Sequence, residues 1–335
     1  MALWSSTPLQ LMLGLLFLLL HPITTTTGIR VNTAVIHRPS RISYMPEFRE
    51  APAFRNGDEC GSQDAHRIHI AMTLDVNYLR GTMAAVFSML QHSICPENLS
   101  FHFHLAHFEP QLVFSVKSTF PYLNFKINRF DSNRVRGKIS KSIRQALDQP
   151  LNYARIYLAD IIPDLLGITN SDLVVVDDIA KRWEVDMQDE VLAAPEYCHA
   201  NFTKYFTNAF WTDPELAEVF EGRNPCYFNT GVMKVEDWMT VQKQNRIYQL
   251  GSLPPFLLVL AGNIKAVDHR WNQHGLGGGN VDGKCRSLHP GPISLLHWTG
   301  KGKPWLRSEA RKPCAIDHLW APYDLDRTSR RSVEE

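Results

Sequence analysis

The run His297-Trp-Thr-Gly-Lys-Gly-Lys-Pro-Trp305 places an imidazole, two glycines, two ammonium groups and two indoles in one short stretch. A neutral imidazole nitrogen can ligate a metal. Gly300, like Gly302, lets the backbone approach a phosphate closely, and Lys303 supplies positive charge. A Gly/Lys loop alone is a weak signal, and His297 and Trp305 at this spacing strengthen it. A second stretch, Asn170-Ser-Asp172, sets two oxygen-bearing side chains at i and i+2. On an extended segment they point to one side, and a divalent ion bound to a diphosphate takes such hard ligands. A third, Asp75-Val-Asn77-Tyr78, offers polar groups for the edge of a nucleobase and a ring for its face. Stacking of a base on an aromatic ring contributes ~1–3 kcal/mol. The plain alternative is a strand-to-helix turn with an Asp or Asn cap. Phe228-Asn-Thr-Gly-Val-Met233 puts Asn229 inside an apolar segment, with a turn at Gly231 as the ordinary reading. Arg155 suits either a phosphate or a surface ion pair. Asp177 and Asp178 read as caps of a helix starting at Ile179, near its positive dipole end.

These residues need elements to position them. Ile68–Leu74 reads as a strand and Thr82–Gln91 as the helix after it. Leu99–Leu105 (LSFHFHL) alternates at period 2, which predicts a strand. Phe125–Phe130, Val191–Ala194 and Ile293–Trp298 are further strands. Asn152–Ile162 has helical spacing and stops at Pro163. Leu173–Val176 (LVVV) has the pattern of a strand buried in a parallel sheet. Strand–helix alternation predicts an α/β fold, a mainly parallel sheet with helices on both faces. Ligands in such sheets bind beyond the carboxyl ends of the strands. Asp75 and His297 stand at such ends.

Composition narrows the function. The chain has 335 residues, 44% of them apolar, enough for a sizeable core. Lys plus Arg total 35 against 34 for Asp plus Glu, so the basic excess of a nucleic-acid binder is missing. The 14 histidines are scattered, most of them expected at the surface or as satisfied core residues. Leu11–Leu20 is an unbroken apolar run. It is short of the ~20 residues of a membrane span and fits the ~7–15 of a signal-peptide core. We therefore expect entry into the secretory pathway through residues 1–22, as a cleaved signal peptide or a short type II anchor. Asn98-Leu-Ser and Asn201-Phe-Thr are N-glycosylation triplets. Six cysteines suit an oxidising lumen, and their fifteen pairings stay open at this stage. Residues 23–65 read as a stem or irregular arm, 66–324 as the catalytic domain and 325–335 as a frayed tail.

Taken together, the segments resemble glycosyltransferase family 8, and within it the plant galacturonosyltransferase-like proteins. The resemblance covers about residues 66–324 and is carried by VLAAPEYCHANFTKYF (191–206), CYFNTGVM (226–233), DHRWNQHGLG (268–277) and the stretch 288–305. It implies a GT-A type nucleotide-sugar-binding fold, a UDP-sugar donor, manganese, and transfer with retention of configuration. It implies that Asp75, Asn77 and Tyr78 hold uridine, and that Arg155 and Asn229 face the donor sugar. Asp172 and His297 would bind manganese with Asn170, and Gly300 and Lys303 would contact the diphosphate. No carboxylate stands out as a nucleophile, so no catalytic residue is assigned. The implied setting is the Golgi lumen, with a polysaccharide acceptor in pectin or xylan assembly and partner glycosyltransferases in a complex. Galacturonate as the donor sugar needs a cationic partner, for which Arg155, Lys204 and Arg270 are candidates.

The chain departs from the family in two places. The family's metal motif is Asp-x-Asp, and Asn170 takes its first position. An amide oxygen ligates without charge, so manganese affinity should fall. The segments before Asn170 and after Met233 are shorter than the family pattern. A non-catalytic UDP-sugar- or glycan-binding paralogue supporting an active partner is therefore the second expectation. A metal-dependent hydrolase, with Glu196 as the nearest acid, is a distant third.

Overall fold

Two stretches of strand-forming residues make the centre of the molecule. Ile68–Thr73 (β1) and Leu99–Leu105 (β2) pair in parallel, from Ile68 opposite Leu99 to Thr73 opposite His104. The computed structural model describes residues 46–60, 67–139, 149–162, 167–168, 170–188, 193–222, 226–228, 247–248, 254, 257–258, 264–277, 288–309 and 314–327. The Leu11–Leu20 run, Asn229 and the shortened segment after Met233 lie outside these residues. Among the described residues no helix is long and apolar enough to cross a membrane.

Phe125–Arg129 (β3) and Gly167–Ile168 (β4) flank the pair in the order β3-β2-β1-β4, all parallel. β2 forms over the expected residues, and all seven are buried. Parallel sheets are covered on both faces, so alternation in sequence does not become alternation in exposure. His102 and His104 are therefore interior. Burial, with neighbouring positive charge, pushes both imidazoles down to about 4. His102 Nε2 meets His69 Nδ1 at 2.8 Å, whereas neither ring nitrogen of His104 has a partner. His104 thus departs from the expectation of satisfied core histidines.

Leu79–His92 (α1) follows β1 and is buried along nearly its whole length. LRGTMAAVFSML is apolar on most sides, as an interior helix must be. Ser88 Oγ accepts a hydrogen bond from the Val175 N–H at 3.0 Å, tying α1 to Leu173–Val175 (β5). β5 is buried as expected, but it pairs antiparallel with Leu295–His297 (β9). An apolar run reports burial, and strand direction depends on how the partner arrives. Ala193–Asn201 (β6) pairs antiparallel with Cys226–Phe228 (β7) and parallel with Lys265–Val267 (β8). The helical stretch at 152–162 is mostly a 3-10 helix, Pro150–Tyr157, with one α-turn at Leu158–Ile161.

The compact unit begins at Pro46, earlier than the expected start at 66. Phe48 bridges to Asp326, Arg49 N–H donates to the Leu325 carbonyl at 2.9 Å, and Arg327 N–H donates to that of Glu47 at 2.8 Å. Arg80 of α1 pairs with Asp324 and Asp326 at 2.6 and 3.2 Å. Residues 325–327, expected to fray, are thus pinned by backbone and buried charge. Of the open cysteine pairings, Cys60–Cys95 forms, and Cys314 is also disulfide-bonded.

Candidate active site

The pairing of β5 with β9 puts His297 opposite Leu173, one residue from Asp172. Trp298 N–H donates to the Asp172 carbonyl at 2.9 Å, which locks the two strand ends together. Ser171 Oγ donates to the carbonyl of Thr73, the last residue of β1, at 2.7 Å. The Asn170-Ser-Asp172 stretch therefore lies at the carboxyl end of β1, where this architecture places ligands.

Four side chains converge there. His297 Nε2 is 3.2 Å from Asp172 Oδ1 and 3.1 Å from Asn170 Nδ2. Lys303 Nζ bonds to Asp172 Oδ2 and donates to the Trp298 carbonyl at 2.7 Å. The same ammonium lies 5.4 Å from the centre of the Tyr78 ring, whose edge packs on Trp305 at 5.9 Å. Tyr78 is the half-exposed rim of the site, and Lys303 is buried. Burial alone would raise the Asp172 carboxyl. The charges of His297 and Lys303, with their hydrogen bonds, outweigh it and hold the group well below the usual carboxylate range.

The second nitrogen of His297 decides what the first can do. His297 Nδ1 donates to Asn272 Oδ1 at 3.0 Å, and Asn272 is 3% exposed. With Nδ1–H held by Asn272, the Nε2 proton that faces Asp172 Oδ1 is the one a metal would replace. Two electron-pair donors this close hold a proton or a cation between them. The donor set fits a divalent ion: a carboxylate oxygen, an imidazole nitrogen and the Asn170 amide. Holding the ion requires Asn170 to turn its amide oxygen inward in place of Nδ2. The set is one negative charge short of a two-carboxylate site. In keeping with that, no three His, Cys, Asp or Glu groups converge among the described residues.

Around this centre, glycines make room. A Cβ on Gly81 would sit 2.4 Å from both the Ser171 carbonyl oxygen and the Trp305 ring. A Cβ on Gly277 would lie within 2.8 Å of the carbonyl oxygens of Trp298, Thr299 and Gly302. Gly302 N–H donates to the Gly277 carbonyl at 2.9 Å, and Gly300 has φ +98°. The HWTGKGKPW loop is therefore shaped by the 268–277 segment beneath it. That segment is anchored in turn by Arg270, which donates to Asp177 Oδ2 at 3.0 Å and to Ser294 Oγ at 2.6 Å.

The expected residues do not all meet. Asn170, Asp172, His297, Lys303 and Tyr78 are brought together. Asp75 lies beside them, its Oδ1 accepting from the N–H groups of Asn77 and Tyr78 at 2.8 and 3.0 Å. It thus makes the turn that the plain reading expected, and burial raises its carboxyl against those two hydrogen bonds. Arg155 is half-buried on Pro150–Tyr157, which packs against β2. Asn229 and the Glu196 side chain lie outside what the structure describes. Arg270 is turned to Asp177 and Ser294 through Nη2 and Nε, which commits that edge of its guanidinium to the fold. Asp178 is a cap as expected, accepting from Ala180 N–H at 3.0 Å. Asp177 instead pairs with Lys181 and Arg270. Sequence reasoning missed Asn272, Gly81 and Gly277. Gly81 carried a signal, a glycine inside a helical pattern.

The glycosyl transferase family 8 model matches residues 69–309, which include every member of this cluster. The chain belongs to glycosyltransferase family 8. It is 68% identical to "Probable galacturonosyltransferase-like 4" of Arabidopsis thaliana, with 97% of each chain covered. It is 58% identical to galacturonosyltransferase-like 3 of the same plant, also named as probable, over 85% of this chain and 90% of that one. Among solved structures, an active-site mutant of LgtC aligns with TM-score 0.58 at 17% identity, covering 76% of this chain and 95% of that one. The galactosyltransferase LgtC with donor and acceptor sugar analogues aligns with TM-score 0.55, also at 17% identity, over 77% and 95%. These likenesses establish the GT-A fold. With the family, they make this glycosyltransferase family 8 chain a probable glycosyltransferase, and enzymes of this family and fold typically use a divalent metal.

Proposed function

We propose that this family 8 protein transfers galacturonate from UDP-galacturonate to a polysaccharide hydroxyl, with retention of configuration and with manganese at Asn170, Asp172 and His297. The observation that carries the reading is the convergence of Asp172, His297 and Lys303 under Tyr78 at the carboxyl end of β1. The names of the plant relatives support the choice of sugar. In this reading Asp75, Asn77 and Tyr78 hold uridine, with Tyr78 stacking on the base. Arg155 and Asn229 face the donor sugar, and Gly300 and Lys303 receive the diphosphate. A bound divalent ion would add Lewis-acid stabilisation of the departing UDP. Lys303 is already stripped of water, so its ammonium can turn from Asp172 to the phosphate at low reorganisation cost. Asn272 keeps His297 in the tautomer that binds. The acceptor hydroxyl attacks on the leaving-group face, and the departing phosphate takes its proton. The setting is the Golgi lumen, entered through residues 1–22, and the product is pectin or xylan.

Asn170 favours a second reading, a paralogue that binds the donor and supports an active partner. Calorimetry of UDP binding, with and without manganese, on the natural protein and Asn170→Asp separates the two. Manganese-dependent binding by the natural protein, followed by turnover of UDP-galacturonate, supports transfer. The same binding without transfer or donor hydrolysis supports the paralogue. Binding by Asn170→Asp alone means the metal seat has been lost. If both proteins fold and neither binds, the placement of uridine and diphosphate is wrong.

A further inference from the structure

The triplet Asn98-Leu-Ser100 has an unusual setting for a glycosylation acceptor. Asn98 ends the 3-10 turn Pro96–Asn98, between Cys95 and β2. Its side chain points inward and the residue is 5% exposed. Nδ2 donates to the Cys60 carbonyl at 3.2 Å, and Oδ1 is enclosed without a hydrogen-bond partner. Ser100, the third member, is 1% exposed within β2. The Cys60 carbonyl is held in place by the disulfide to Cys95, with Cα atoms 5.4 Å apart. Glu97 tightens the same clamp, its Oε1 accepting from the N–H groups of Asn56 and Gly57 at 3.1 and 2.9 Å. Asn56 Nδ2 also bonds to the Ile94 carbonyl. The segment leading to Cys60 is thus fastened to residues 94–98 on either side of the amide that a glycan would occupy.

We propose that Asn98 is a conditional N-glycosylation site, open only until the Cys60–Cys95 disulfide closes. The inference rests on the chain reaching the secretory lumen. In glycan transfer, Asn98 Nδ2 forms a bond to C1 of a lipid-diphosphate-linked sugar and loses one proton. The C1–oxygen bond breaks, and the lipid diphosphate leaves. In closure, the two thiols give two protons and two electrons to a luminal protein disulfide, which is reduced to a dithiol. Closure brings the Cys60 carbonyl onto Nδ2 and covers Asn98, while Ser100 is withdrawn by the pairing of β2 between β1 and β3, so the triplet no longer has the exposed form of an acceptor. The exclusion is mutual. A sugar already on Nδ2 fills the space of the Cys60 segment and keeps Cys60 from Cys95. The mature, clamped protein carries Asn98 as a free amide.

The test is translation of the full chain into microsomes behind a leader of known activity, which keeps it separate from the secretory reading. Non-reducing peptide mapping by mass spectrometry then reads the disulfide and the Asn98 amide together. We expect Asn98 to be unmodified in molecules with Cys60 joined to Cys95. Its occupancy should rise several-fold when dithiothreitol is present during translation, and likewise in Cys60→Ser. A glycan on Asn98 in disulfide-closed molecules overturns the proposal. So does an unmodified Asn98 in both the reduced chain and Cys60→Ser, since something other than the clamp would then exclude the sugar. Two further variants separate amide from glycan. Ser100→Ala removes the triplet, keeps Asn98 and should melt like the natural protein, whereas Asn98→Gln should melt lower. Equal losses in both variants count against the proposal.

Discussion

The β1–β2 pair carries a polar cluster at each end, and the two are wired differently. At the amino end, Glu97 and Asn98 bond to backbone groups of residues 56–60. At the carboxyl end, Asp172, His297 and Lys303 bond mainly to one another. Side chains bonded to backbone hold a shape and gain nothing from a ligand. Charges that neutralise each other can exchange a partner for a phosphate or a metal. Both ends are ordered and largely buried, so polarity and burial alone do not mark the functional one. What marks the candidate site is charge answered mainly by other charge.

Asp172→Asn should have the largest effect. It leaves the Lys303 ammonium buried beside a neutral amide, and removing one partner of such a pair costs about 3–5 kcal/mol. UDP and manganese binding should disappear in calorimetry, with a matching drop in denaturant midpoint. Retained manganese-dependent binding would remove the carboxyl end from consideration as the site.

Acid should weaken the sheet between the two ends. His102 and His104 are held at about 4 in the fold and return to about 6.5 when unfolded. Between these values the unfolded chain binds more protons, so stability rises with pH and falls as pH drops from 6.5 towards 4. From pH 7 to 5 the loss is on the order of 2 kcal/mol per histidine. Urea melts at the two pH values measure it, and replacing both histidines with glutamine should flatten the dependence.

Asn272→Leu sharpens the comparison, because it alters no atom facing the ligand. Losing the partner that fixes the His297 tautomer should lower manganese affinity by about 10–100-fold. The melting temperature should move much less. Titration of manganese in the presence of UDP reads this directly, and an unchanged affinity would show that His297 does not ligate. The smallest effect belongs to the amino end. Glu97→Ala removes the acceptor for two N–H groups and should cost about 1 kcal/mol, with UDP binding untouched.

Much of the site was legible because its parts are local. HWTGKGKPW and Asn170-Ser-Asp172 state their chemistry in consecutive residues, and the strands before and after them follow from apolar runs. Asn272 was hidden because an asparagine acts here only through the histidine it faces, twenty-five positions away in sequence. The bonds of Arg270 to Asp177 and Ser294 were hidden in the same way, because both partners lie far from it in sequence. The full burial of β2 was not legible, because alternation encodes side-chain direction and exposure is set by what covers each face.

The sequence by itself determined the family, the α/β layering and the candidate ligands Asp172, His297 and Lys303. The layering and the ligands follow from periodicity and short-range spacing, which a linear chain displays, and the family follows from resemblance across whole segments. Only the tertiary structure decided that β5 runs antiparallel to β9, that Cys60 joins Cys95, and that Gly81 and Gly277 must lack a Cβ. Each of these depends on which distant segment arrives and from which direction, and no local propensity carries that information.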